Sequence, residues 1–299
     1  MVSSPQPLEP FRANNTYSQA GEDGMLTEIF RRLNIDKGTF CEFGAWDGQH
    51  LSNTYAFYER GWGGWYIEGN EERYQDLLRN VDRNDVDKIC AWVSRTGTNT
   101  LDQILQNSRL YKDGVTTLDL LSIDIDSDDL AIWKSVKAFR PKVVIIEVNP
   151  TIPIDVYFEN PEGEFKGNST LSTYEYAKSI GYGLIATTTC NMIFVDTKIE
   201  GHGFSLLEIE QPPLISGKRY FFGYDGSLII TDANSKDPHV VPEVIRVPWN
   251  GAHFAQPVSP YFRDTSDNKV YRRTGHWLSR MRLAIVHPIL ALTAKVYKS

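Results

Sequence analysis

The sequence predicts an α/β protein: a doubly wound, mostly parallel seven-stranded sheet, followed by a β-rich appendage and a terminal helix. Three observations predict it. Short apolar runs at 39–43, 64–67, 88–93, 118–124, 142–147, 183–188 and 191–195 are interleaved with helical patterns at 51–60, 70–80, 99–107, 128–138 and 169–180. Strands that alternate with helices return to the same edge each time, which builds parallel pairs. The last two runs are separated only by Thr189-Cys190, too short for a crossover, so they read as an antiparallel hairpin. Finally, the first run ends in Glu42-Phe43-Gly44 and passes through Asp47-Gly48 into a helical pattern, and the second ends in Glu68. A strand, a glycine turn, a helix and a strand closed by an acid form half of a doubly wound sheet.

Taken in order, residues 1–16 carry three prolines and paired asparagines and read as a flexible lead-in. Met25, Leu26, Ile29, Phe30 and Leu33 then share one helical face. The α/β rhythm fills 17–199. Residues 200–270 read as a cap or insertion, with KRYFFGYDGSLIIT (218–231) as a hairpin turning at Asp225-Gly226 and a proline-rich stretch after it. Residues 271–299 carry a helical pattern interrupted by Pro288.

The chain has 299 residues, a hydrophobic content of 41% and a charged content of 23%, values of an ordinary globular protein. Its net charge of −7 argues against nucleic acid as a partner. The charge is uneven: residues 271–299 hold six Lys and Arg and no acid, leaving −13 to residues 1–270. Cys41, Cys90 and Cys190 are odd in number and widely spaced, and read as buried free thiols of a reducing, cytoplasmic compartment. The opening lacks a basic start and an apolar core, so no signal peptide is expected, and no run reaches the ~18–20 apolar residues of a spanning helix.

The glycine turn selects among nucleotides. A pyrophosphate needs bare backbone at a helix N-terminus, hence G-x-G-x-x-G. Here the spacing is E-x-G-x-x-x-G, with Trp46 and Asp47 where phosphates would lie. An acid repels a pyrophosphate and accepts from an ammonium. S-adenosylmethionine, with an amino group and a sulfonium but no phosphate, fits better. Gly44 and Gly48 would let backbone approach that ligand, and Glu68 would accept both ribose hydroxyls.

Residues 17–196 resemble the FkbM-type branch of S-adenosylmethionine-dependent methyltransferases. The blocks are YSQAGEDGML (17–26), SNTYAFYERGWGG (52–64), YIEGN (66–70), TNTLDQIL (98–105), LLSIDIDSDD (120–129), IIEVNPTIP (145–153), NSTLSTYEYAKSIGYGLIATT (168–188) and NMIFV (191–195). The resemblance implies a Rossmann-like class I methyltransferase domain and methyl transfer to a hydroxyl of a sugar or secondary metabolite. It implies that Glu42, Gly44 and Gly48 line the cofactor and that Glu68 binds its ribose. Tyr17, Ser18 and Gln19 would fold over the methionine carboxylate, and Trp92–Ser94 would meet the adenine edge, with Ser94 in the cofactor set. Ser52 and Asn53 would either cap the following helix or hold the amino-acid end of the cofactor. Trp46 departs from the small residue common at its position and would narrow the pocket.

Ligands of such sheets sit beyond the carboxyl ends of the strands. The fourth strand ends in Asp124-Ile125-Asp126-Ser127-Asp128-Asp129 and the fifth in Glu147-Val148-Asn149. So many carboxylates must be offset by a cation. In one account Mg²⁺ or Mn²⁺ is held by Asp124, Asp126, Glu147 or Asn149. In the other, Asp124, Asp126 or His253 of the cap is a general base and the sulfonium balances the charge. Asp124 and Asp126 alternate along the chain and would face opposite ways within a strand. Asp128 and Asp129 read as first-turn helix acids, and His50 lies beside the glycine turn.

The aromatic cap (Tyr220, Phe221, Phe222, Tyr224, Trp249) would stack on a glycan or small-molecule acceptor. Leu278, Met281, Ile285, Ile289, Leu292 and Val296 make one apolar stripe flanked by basic residues. Over 277–297 it would pack on the sheet, form a homodimer contact, or lie peripherally on an anionic membrane, as an enzyme of lipid-linked glycans would require. The alternatives to a methyltransferase are a metal-assisted hydrolase or nucleotide-sugar enzyme on the same fold, and a non-catalytic membrane-docked binding protein.

Overall fold

The computed structural model describes residues 7–150, 152, 156–209, 218–222, 227–232 and 243–246. The seven-stranded sheet is present. Its strands are β1 (Thr39–Phe43), β2 (Gly63–Glu68), β3 (Val86–Cys90), β4 (Leu120–Ile123), β5 (Val143–Glu147), β6 (Tyr182–Thr187) and β7 (Asn191–Asp196). They are ordered β3-β2-β1-β4-β5-β7-β6. β1 to β5 pair in parallel, whereas β7 runs antiparallel to both β5 and β6. The order reverses between β1 and β4, so the loops after these two strands open the crevice where a ligand can enter.

The helices are α1 (Glu22–Arg32), α2 (Tyr55–Glu59), α3 (Glu71–Asn80), α4 (Leu101–Asn107), α5 (Arg109–Lys112), α6 (Asp129–Ser135) and α7 (Thr170–Ser179). Strand alternation sorts the core into two layers. Cys41, Phe43, Leu121, Ile123, Val144 and Ile146 face α4, α6 and α7. Phe40, Tyr66, Leu120, Val143, Ile145, Ile193 and Val195 face α1, α2 and α3. The same alternation puts Glu42, Ser122, Glu147 and Asn191 on the α1 side, each at the carboxyl end of the sheet or beside it.

Several boundaries differ from those expected. The lead-in is not loose throughout: Glu9–Asn14 forms a 3-10 helix, Leu8 is buried, and Phe11 packs against the α1 layer. α2 begins only at Tyr55, because Ser52–Thr54 form a loop held by Glu42. Of the three cysteines only Cys41 is buried; Cys90 is exposed and Cys190 half-buried. No helix among the described residues is long and apolar enough to cross a membrane.

The chain divides into two units, Met1–Pro212 and Pro213–Ser299. In the second, β8 (Lys218–Phe222), β9 (Ser227–Asp232) and β10 (Glu243–Arg246) form an antiparallel sheet ordered β10-β9-β8. β8 pairs with β9 as the hairpin reading expects, with Phe222 opposite Leu228. The turn at Asp225-Gly226, Trp249, His253 and the basic segment 271–299 with its stripe at 277–297 lie outside the described residues.

Candidate active site at the strand tips

Glu68 organises the mouth of the crevice. Its carboxylate accepts the Trp46 N–H (2.8 Å) through one oxygen and the Asn70 N–H (2.7 Å) through the other. Helix α3 is capped by the Asn70 side chain, which accepts from Glu72 and Arg73 N–H. Glu68 is therefore free of the helix-capping duty and ties the glycine turn to the tip of β2. Trp46 has φ of 51°, unusual for a bulky residue, and its 44% exposed indole carries the Arg73 guanidinium at 4.0 Å. The indole is thus turned onto α3 rather than left loose in the crevice. Asp47 accepts the Gln49 and His50 N–H groups and so closes the turn on itself.

The two glycines are required by the protein itself. A Cβ on Gly44 (φ 75°) would lie 1.9 Å from the Asp124 carbonyl oxygen, and one on Gly48 (φ 79°) would lie 2.6 Å from Leu77 of α3. Beside the expected approach to a ligand they have a packing role: Gly44 lets the turn after β1 touch the tip of β4. Gly69 differs. A Cβ there would strike the Trp92 indole at 2.4 Å, so Trp92, 71% exposed, lies flat over Gly69 beside Glu68. Strand β3 ends at Cys90, and Ser94 turns back on its own loop, with its N–H on Asn99 and its hydroxyl on the Thr96 carbonyl. Of Trp92–Ser94, it is the tryptophan that stands at the crevice wall.

Glu42 is held by partners within the fold. It is buried, and its oxygens accept from Ser52 Oγ (2.6 Å), Thr54 Oγ1 (2.6 Å) and the Asn53 N–H (3.0 Å), with Ser122 Oγ at 3.4 Å. Ser52 also accepts from the Thr54 and Tyr55 N–H groups, and Asn53 Nδ2 donates to Ser122. Ser52 thus meets the first amide of α2, whereas the Asn53 side chain is engaged at Ser122 and does not cap the helix. Burial pushes the Glu42 carboxyl up, and these donors pull it partly back.

The segment at Tyr17–Glu22 crosses the strand tips. Ser18 bridges to Leu51 after β1, Gln19 Oε1 lies 3.5 Å from Cys190 Sγ, and buried Glu22 accepts from Thr188 Oγ1 (2.6 Å) and Asn191 Nδ2 (3.0 Å). Since β1 and β7 flank β4 and β5, this segment spans the tips between them. Tyr17 packs edge-on to Tyr55 at 4.8 Å. Sequence reasoning placed 17–19 over the site but missed Glu22 and Asn191, whose signal was their polarity next to apolar runs.

Beneath it, Asp124, Asp126 and Glu147 bring carboxylate oxygens within 4.8 Å of one another. β4 has ended at Ile123, and Asp126 adopts φ of 59°, so the strand alternation that would have separated Asp124 from Asp126 no longer applies. Buried Asp129 builds this turn by accepting the Ile125 and Ser127 N–H groups (both 2.9 Å). Asp128 is not a side-chain cap: it pairs with Arg95 and accepts from Asn160 Nδ2. Asn149, expected among the metal ligands, donates its amide to the Lys166 carbonyl at 2.8 Å and anchors the following connection.

No ion pair among the described residues reaches Glu22, Glu42, Glu68, Asp124, Asp126, Asp129 or Glu147. Burial first, and then the neighbouring carboxylates, hold Asp124 and Glu147 well above the usual carboxylate range. Burial pushes Asp129 up to about 6, against the pull of its N–H donors. Groups that hold protons more tightly when folded stabilise the fold most at acid pH. That contribution is lost as pH rises from the ordinary carboxylate range through about 6 and then through the higher values of the pair. Calorimetric Tm is expected to fall across this window, and Asp124→Asn to flatten the fall; an unchanged slope in the variant would contradict the assignment.

No protein-family model matches the chain, and no curated protein matches it. Solved structures with a similar course of chain include three remote ones. A methyltransferase from Clostridium acetobutylicum ATCC 824, described as S-adenosylmethionine-dependent, is 11% identical over 61% of this chain and 92% of its own, with a TM-score of 0.37. TrmK of M. capricolum, in complex with S-adenosyl-homocysteine, is 10% identical over 56% and 67%, with a TM-score of 0.32. A SAM-dependent methyltransferase from Aquifex aeolicus is 12% identical over 58% and 87%, with a TM-score of 0.34. What the site can do follows from its own residues.

Proposed function

We propose that the chain is an S-adenosylmethionine-dependent methyltransferase of the FkbM type that methylates a hydroxyl of a glycan or secondary metabolite. One observation carries the reading. The switch point of the sheet is lined by carboxylates that no cation among the described residues offsets. A ligand that binds there brings positive charge, and a pyrophosphate would be repelled. The residues fit a sulfonium nucleoside: Glu68 has acceptor capacity at the tip of β2, exposed Trp92 offers a flat face beside it, and the glycine turn is fixed between them.

When bound, S-adenosylmethionine supplies a methyl group on a positively charged sulfur. The chain's part is to hold and to deprotonate. Glu68 takes the ribose hydroxyls and Trp92 the purine face. In the ion-free site Asp124 or Asp126 would receive the proton of the acceptor hydroxyl. A carboxyl whose proton affinity is raised by burial is a stronger base than an exposed one, which suits a hydroxyl proton. The raised affinity also means that substrate charge must arrive before the base is free.

Calorimetry with S-adenosyl-homocysteine tests this. Micromolar binding is expected, with NAD not binding, and Trp92→Ala weakening the nucleoside by on the order of tenfold. Binding of NAD in its place would overturn the reading.

A further inference from the structure

We infer that Asp124, Asp126 and Glu147, with the side-chain oxygen of Asn191, form a binding site for a hard divalent cation, Mg²⁺ or Mn²⁺. The carboxylates converge within 4.8 Å. The independent observation is Asn191. It is 3% exposed, and its Oδ1 is buried without a hydrogen-bond partner among the described atoms. It stands directly opposite Glu147 in the β5–β7 register, and directly paired residues of antiparallel strands project side by side on one face. The amide cannot turn over to relieve that oxygen, because Nδ2 already donates to buried Glu22 at 3.0 Å and a flip would set oxygen against carboxylate. A buried amide oxygen held beside a carboxylate cluster, with nothing donating to it, is the environment of an oxygen-ligated ion.

The donor set decides the ion. Four oxygens and no nitrogen or thiolate select Mg²⁺ or Mn²⁺ over zinc or copper. Glu42 stays out of the set, since Ser52, Asn53 and Thr54 occupy its oxygens. Asn149 donates its Nδ2 to the Lys166 carbonyl, as Asn191 donates its own to Glu22. The ion supplies the positive charge that the three carboxylates lack, and its remaining positions would be open to water or an acceptor oxygen. Only that last role rests on the methyl-transfer reading; the site does not.

Titration of the full-length chain with Mn²⁺, followed by loss of the free-ion signal in electron paramagnetic resonance and by thermal shift, tests it without nucleoside. The wild type is expected to bind Mn²⁺, with Mg²⁺ competing. Asp124→Asn and Glu147→Gln are expected to lose affinity by on the order of tenfold or more, Asn191→Ala by less, and Asp113→Asn, in an exposed turn, not at all. Asp124→Asn should melt higher than ion-free wild type, since a repelling charge is gone, which shows that it folds. No binding at millimolar Mn²⁺, or equal binding in Asp124→Asn and Glu147→Gln, overturns the site. S-adenosyl-homocysteine binding measured on the same samples separates the two readings: nucleoside bound without the ion sinks the ion alone, and ion bound without nucleoside sinks the methyl-transfer reading alone.

Discussion

Gly44→Ala is expected to destabilise the α/β unit by about 3–5 kcal/mol, a loss of roughly 10 °C in Tm for a domain of this size. Two effects add. The left-handed φ of 75° disfavours any side chain, and the new methyl would sit 1.9 Å from the Asp124 carbonyl oxygen. That contact is backbone against backbone, so no rotamer change relieves it. The turn after β1 must lift from the tip of β4, and Asp124 moves with it. Gly97→Ala is the control: its φ is 83°, but nothing lies within 4 Å of the added carbon, so only the conformational cost of about 1 kcal/mol applies. Denaturant melts of the two variants check the difference; equal losses would show that the β1–β4 contact does not matter.

Glu68→Ala is expected to lower affinity for S-adenosyl-homocysteine by on the order of 100-fold or more, because charged hydrogen bonds to both ribose hydroxyls are lost at ~1.5–3 kcal/mol each. The same change strips the acceptor from the Trp46 and Asn70 N–H groups, so the glycine turn loosens as well. Glu68→Gln separates these effects. It keeps one acceptor oxygen and the side-chain volume and should retain part of the affinity. Calorimetry on both variants decides, and unaltered binding in Glu68→Ala would place the nucleoside elsewhere.

The sheet was legible because each strand is an apolar run of its own length, and because the two-residue gap at Thr189-Cys190 leaves no room for a crossover, which fixed the antiparallel β7. The place of Glu68 at the end of β2 was legible from the apolar run before it. Glu42 was not: its position resembles a ligand's, but its partners Ser52, Asn53, Thr54 and Ser122 are brought to it only by the fold. The start of α2 slipped by several residues for the same reason, since Glu42 holds Ser52–Thr54 out of the helix. Gly44 and Gly48 were visible as places where backbone comes close, but their contacts with Asp124 and Leu77 were not, because a sequence shows that a side chain is missing and not what fills its space. The acid trio was half legible. Asp124 and Asp126 were visible, but their convergence depends on the left-handed Asp126 and on Asp129 beneath it.

The segment at Tyr17–Glu22 is fastened near both its ends, through Ser18 to Leu51 and through Glu22 to Thr188 and Asn191. A molecule lodged below such a strap cannot depart upward until one fastening opens. Cutting the Glu22 anchor would then shorten the dwell time of any such ligand.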